Sequence, residues 1–131
     1  MKLYRTMLQD STDSLPVVGN DARMLGVRIP PHQRPDIQPD PAGDVRPQSG
    51  GMSVVADDPL DMKPWLLPQG TRFRGTSRKG IVYEIEEDIV HPPLALRPDG
   101  PPHHVVEPAA QMPLPVFEAG LTATRRHWKV Y

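Results

Sequence analysis

Proline sets the limits on this chain before any other feature does. There are 18 in 131 residues, where an average protein carries about 5 %, and each removes a backbone donor and locks φ. Six stand at positions 30, 31, 35, 39, 41 and 47, and five more at 92, 93, 98, 101 and 102. Stretches so loaded suit neither a helix nor a central strand. Residues 30–50 therefore read as a long surface loop or lid, and 91–102 as a second proline-rich connection. Regular structure is left to the segments between them. Leucine, isoleucine, valine and phenylalanine number 30, a little over the share of roughly 20 % below which disorder becomes the default. The length suits one domain with a small core.

Period-2 patterns pick out the strands. KLYRTM (2–7) puts Leu3 and Arg5 on one face and Tyr4 and Thr6 on the other. In SGGMSVVADDP (49–59) a strand over 52–56 begins on a glycine pair, with Ser53 at its entrance. In KGIVYEIEED (79–88), the clearest strand, Ile81, Tyr83 and Ile85 alternate with Val82, Glu84 and Glu86. HHVVEP (103–108) is a further short strand, and adjacent His103 and His104 face opposite ways on it. Met24 to Val27 is apolar enough to begin a strand, and LLPQGTRFRG (66–75) reads as a turn with a short extended piece. Near the end, Phe117, Leu121, Thr124 and Trp128 recur at helical spacing, with Arg125, Arg126 and Lys129 where cations suit a helix C-terminus. The expected fold is a single α+β domain over 1–131, with short, mostly antiparallel strands, proline-rich loops and a C-terminal helix.

A formal net charge of −1 provides no global field to attract DNA or an anionic membrane. The chain has no cysteine, which excludes a disulfide framework and thiolate chemistry and favours the cytoplasm. There is no apolar run long enough for a leader or a membrane span, so any export is expected to proceed without a cleaved signal peptide. No phosphate-binding Gly-x-x-x-x-Gly-Lys-Ser/Thr occurs. The five histidines are scattered, and no metal site is expected. RFRGTSRK (72–79) holds four cations and no acid. Such a run is ordinarily a solvated face, and otherwise a seat for pyrophosphate or a nucleic-acid backbone. Glu84 and Glu86 share a strand face, as a solvated edge or as a pair reaching into a cleft.

Several of these segments follow one order: LYRT on a first strand, GGMSVV on a second, LPQGT after it, then HHVVEPAAQMP and RRHW. In that order the chain resembles a small toxin family of type VI secretion exported effectors, whose fold is similar to that of mono-ADP-ribosyltransferases. The likeness covers most of the chain, least over 25–48 and 75–100. It implies NAD as co-substrate, a target in the cytosol, cytoplasmic residence in producer and target cell, and a cognate immunity protein. Arg5, with Tyr4 beside it, matches the strand-one arginine that braces the dinucleotide. Ser53 matches the strand-two serine that holds the nicotinamide-side ribose, Gly50 and Gly51 let backbone approach the ligand, and Met52 stands where a hydroxyl residue is usual. His103 matches a histidine of the final strand motif and is a catalytic candidate.

Such transferases use a glutamate to stabilise the positive charge that develops on the ribose as nicotinamide leaves. No matched motif contains one here. Glu84, Glu86 and Glu107 are the candidates, and Glu86 is preferred because it lies on the clearest strand. Arg5 has no obvious acid partner, so Arg5→Ala is expected to abolish activity and leave the fold intact. Two other readings compete: a catalytically silent binding module of the same fold, and an RNA-binding protein using Arg72, Arg74, Arg78 and Lys79.

Overall fold

In the computed structural model, which describes residues 1–131, the four alternating segments become the middle of one sheet. The strands are β1 (Lys2–Met7), β2 (Asp44–Val45), β3 (Met52–Ala56), β4 (Ile81–Glu86), β5 (Leu94–Pro98), β6 (His103–Pro108), β7 (Met112–Pro113) and β8 (Lys129–Val130), with one helix, α1 (Leu114–Ala123). Six strands form a sheet in the order β5-β6-β3-β1-β4-β8, and β2 and β7 form a separate pair. Every pairing is antiparallel. The chain is a single α+β domain.

Alternation explains why the central strands are buried on both sides. Leu3, Met7, Met52, Val54, Tyr83 and Ile85 point to one face and join Phe117, Leu121 and Trp128 in a core of 16 residues. Tyr4, Val55 and Val82 point the other way and meet Met62 and Leu67 in a cluster of 5. The first face is covered by α1 and by residues of the 25–45 loops. The second is covered by a cap formed from residues 57–80, which holds one short 3-10 turn, Pro59–Asp61, and otherwise only turns and a bridge between Pro68 and Ser77.

The proline-rich stretches contribute more than connection. Residues 94–98 form β5, which pairs with β6 from Leu94↔Pro108 to Pro98↔His104. Its one proline, Pro98, is tolerated because β5 is an edge strand. In the 30–50 loop, Ile37 and Val45 are buried and belong to the main core, and β2 lies within it. Met24 to Val27 forms no strand, only a bridge from Leu25 to Val18, although Leu25 and Val27 are fully buried. The helix is shorter than its spacing suggested. The Thr124 hydroxyl donates to the Leu121 carbonyl at 2.7 Å and accepts from the Trp128 indole N–H at 3.0 Å, which tightens the last turn. The chain then passes through a 3-10 turn, Arg125–His127, into β8. Thr124 and Trp128 are core residues all the same.

Candidate functional site

The site begins where two central strands part. β1 pairs with β4 along its full length, from Lys2↔Glu86 to Met7↔Ile81, but with β3 only at Leu3↔Ala56 and Tyr4↔Val55. Beyond Tyr4 the gap is filled by the side chain of Arg5. Its Nη1 donates to the Ser53 carbonyl at 2.8 Å, its Nη2 to Ala22 and Met24 carbonyls, each at 3.0 Å, and its Nε to Met24 at 3.3 Å. A guanidinium has five N–H groups, so these four bonds leave one Nη1 hydrogen uncommitted. The acid that acts on Arg5 from a distance, Asp36, is bound to Arg28 at 2.8 Å. Burial pulls the Arg5 pKa down to about 10, so at neutral pH it is a buried cation without a counter-ion.

Above this gap lies an open cavity of about 280 Å³, lined by Tyr4, Arg5, Ser53 and His103 and flanked by Met62 and Leu66 of the cap. Tyr4 is buried, and burial followed by the charge of Glu84 raises its pKa. Ser53 is half-buried, and its hydroxyl faces the cavity without a partner in the chain. His103 sits two residues along the neighbouring strand, paired with Val55, while His104 pairs with Val54 and faces the helix side. The imidazole Nδ1 of His103 lies 3.2 Å from both the backbone carbonyl and the carboxylate Oδ2 of Asp99. Two acceptors at one nitrogen assign the proton to Nδ1 and leave Nε2 as the basic lone pair of the neutral ring.

Four of the expected residues, Tyr4, Arg5, Ser53 and His103, thus line one cavity. The glycines and Glu86 do not. A Cβ on Gly50 (φ +117°) would run into the Asp36 carbonyl, and one on Gly51 into the Val106 carbonyl, so these glycines admit a close approach of the chain's own backbone. Met52 is a core residue. Glu86 lies at the far end of β4, across β1 from the cavity. Its side chain is 59 % exposed and 3.9 Å from the Lys2 ammonium. Glu84 is bound to the same lysine at 3.5 Å. Glu107 is buried, accepting from the Gln48 backbone N–H at 2.8 Å and the Arg97 Nε at 3.0 Å. None of the three lines the cavity.

Asp99 and the cap residues escaped the sequence reading. Asp99 is placed opposite His103 by the β5–β6 hairpin turn, whose Pro-Asp-Gly-Pro-Pro sequence is itself a turn signal. No protein-family model matches the chain, and no curated protein matches it. No helix is long and apolar enough to cross a membrane, and no group of histidine and acidic side chains is arranged to hold a metal ion.

Proposed function

We propose that this chain is a toxin of the NAD-dependent ADP-ribosyltransferase type, with an ADP-ribosyltransferase-like form of the α+β fold and its NAD site in the Arg5 cavity. One observation carries the reading: a buried guanidinium with a spare N–H and no counter-ion borders a mostly apolar cavity. Such a group suits a phosphate or ribose oxygen. The shared order of motifs from LYRT to RRHW supports the same reading. The cavity lies just below the range of roughly 300–1,000 Å³ usual for small-molecule sites. It suits one nucleoside half of a dinucleotide, with the other half across the mouth near Lys63.

NAD would supply the ADP-ribosyl group and release nicotinamide. Within the chain, Arg5 donates to an oxygen of the bound half, the Ser53 hydroxyl bonds a ribose hydroxyl, and Tyr4 flanks the ring. His103 is the base. Its Nε2 takes the proton of a water or acceptor hydroxyl while that oxygen bonds to the carbon nicotinamide leaves. Asp99 positions His103 and holds the proton on Nδ1. The toxin reading further implies a cytosolic acceptor and an immunity protein that covers the cavity mouth.

The absence of any carboxylate along the cavity favours a second reading, NAD binding without turnover. Nicotinamide release by the purified protein, with NAD affinity measured alongside, separates the two. His103→Ala is expected to slow release by about 100-fold or more, Asp99→Asn to slow it less with affinity kept, and Glu86→Gln to change neither. Binding without release would establish the silent module. A large loss on Glu86→Gln would return the catalytic role to that carboxylate, and no binding at all would end the NAD reading.

A further inference from the structure

The cap carries a second feature that the cavity does not use. Between Asp61 and Glu84 the sequence holds five cations and no acid, in a chain whose net charge is −1. All five are exposed, and four of them, Arg72, Arg74, Arg78 and Lys79, fall within eight residues. None of the four forms a salt bridge, whereas Lys2, Arg28, Arg46, Arg97 and Arg125 all do. The Arg72 guanidinium carbon stands 4.4 Å from the Tyr131 ring centre and 5.1 Å from that of Phe73. Two aromatic rings thus hold an exposed guanidinium against them, and Tyr131 itself is 40 % exposed.

This group borders a depression of about 340 Å³ that runs to Gly80. Beside Gly80, Lys79 and Arg23 line a second one of about 350 Å³, with Leu8, Ala22 and one acid, Asp21. The Arg23 Nη1 donates to the Lys79 carbonyl at 3.5 Å. A basic track therefore leads from an aromatic platform at Arg72, past the half-buried Gly80, to a cationic end at Arg23.

We propose that this track binds an unpaired polynucleotide strand, with a base stacked on the Arg72–Tyr131 platform and phosphates on Lys79, Arg78 and Arg23. Bases stack on guanidinium planes and aromatic rings only when unpaired. A duplex reader would need an element to enter a groove, and the cap has no helix or ribbon of that kind. Tyr4 connects the two regions: its ring lines the Arg5 cavity and meets Tyr131 edge-on at 5.4 Å. The inference is independent of NAD.

The test is fluorescence anisotropy with labelled single-stranded RNA and DNA of about 12 nucleotides, within the span a single domain covers, titrated from about 50 to 200 mM salt. Three phosphate contacts predict a log–log salt slope of about −2, and Lys79→Ala should lower its magnitude by about 0.7. Arg72→Lys keeps the charge and loses the plane. It should weaken binding about tenfold with the slope unchanged. RNA and DNA binding alike would assign the shared stacking and phosphate chemistry, and RNA alone would add recognition of the 2′-hydroxyl. The proposal fails if neither strand binds at low salt, if a duplex of the same length binds as tightly, or if polyglutamate competes equally and Arg72→Lys costs nothing. The last result would make this the face for an acidic protein.

Discussion

The two faces of the sheet are built for different ends, and the two tryptophans mark the difference. Trp128 is 3 % exposed and hydrogen-bonded within the 16-residue core under the helix, while Trp65, on the cap, is 60 % exposed. The helix side packs long apolar side chains from the sheet, α1 and the loop residues Leu25, Val27, Ile37 and Val45 against one another. The cap side has a cluster of 5, one 3-10 turn, and both the Arg5 cavity and the basic track. A cap with so little apolar burial opens at low cost, which is what a binding face needs. The fold is held on one side of the sheet and the candidate chemistry sits on the other.

The largest expected effect tests that division directly. Trp128→Ala should cost about 3–5 kcal/mol through lost packing and the cavity left behind, enough to unfold a marginal domain. Trp65→Ala should stay within about 0.5 kcal/mol. Urea melts of both variants check the pair, and equal midpoints would break the comparison.

Arg5 belongs to both faces, and there the structure changes an expectation. As a strand-one cation with no acid partner it looked dispensable for folding. Its partners are instead the carbonyls of Ala22, Met24 and Ser53, which tie the 20–24 loop to β1 and fill the gap beside β3. Arg5→Ala should destabilise the protein by about 1.5–3 kcal/mol as well as abolish ligand binding. Lysine keeps the charge but lacks the planar fork that spreads four bonds over the three carbonyls, so Arg5→Lys should fall between. A midpoint unchanged in Arg5→Ala would restore the simpler role of ligand brace.

What could be foreseen follows from the range of the interactions involved. β1, β3, β4 and β6 were legible because alternation is local and strong, as in Ile81-Tyr83-Ile85. β5 was hidden because its pairing with β6 outweighs the prolines around it, and Ile37 and Val45 because burial of a loop residue depends on what it lands against. The helix is shorter than its pattern implies because Thr124 and Trp128 keep helical spacing while the chain between them follows a 3-10 turn, Arg125–His127. At the site, the order of the motifs from LYRT to HHVVEP groups Tyr4, Arg5, Ser53 and His103. Glu86 stands on the clearest strand, but strand quality carries no information about which side of β1 that strand occupies.

A smaller effect lies at the rim of the helix face. Arg125 donates to the Asp13 carboxylate at 2.6 and 3.0 Å and reaches Asp10 at 3.4 Å. Asp13 is held below the usual carboxylate range by this arginine first, and Asp10 chiefly by the Thr12 hydroxyl. Folded pKa values below the unfolded ones mean stabilisation that is present above the ordinary carboxylate range and lost as pH falls through the folded values. The gap in thermal midpoint between wild type and Arg125→Ala should therefore narrow below about pH 4. It will not close, because the Arg125 bond to the Pro16 carbonyl at 2.8 Å does not titrate. A gap constant from neutral pH downward would show that the carboxylates add nothing.

The smallest effect on stability is also the sharpest test of the cap side. The Ser53 backbone belongs to β3 and its carbonyl holds Arg5, but the hydroxyl is bonded to nothing in the chain. Ser53→Ala keeps the strand, the carbonyl and the buried cation, and removes only that hydroxyl. Stability should move by no more than about 0.5 kcal/mol. If a ribose hydroxyl occupies the cavity, NAD affinity should fall by about 0.5–1.5 kcal/mol, roughly two- to tenfold. Calorimetric titration of NAD beside a urea melt reads both numbers on the same samples. A melt that shifts by as much as that of Arg5→Ala would make Ser53 part of the scaffold. Unchanged stability with unchanged affinity would leave the cavity to a ligand that makes no bond at this position, and would separate the NAD site from the gap between β1 and β3.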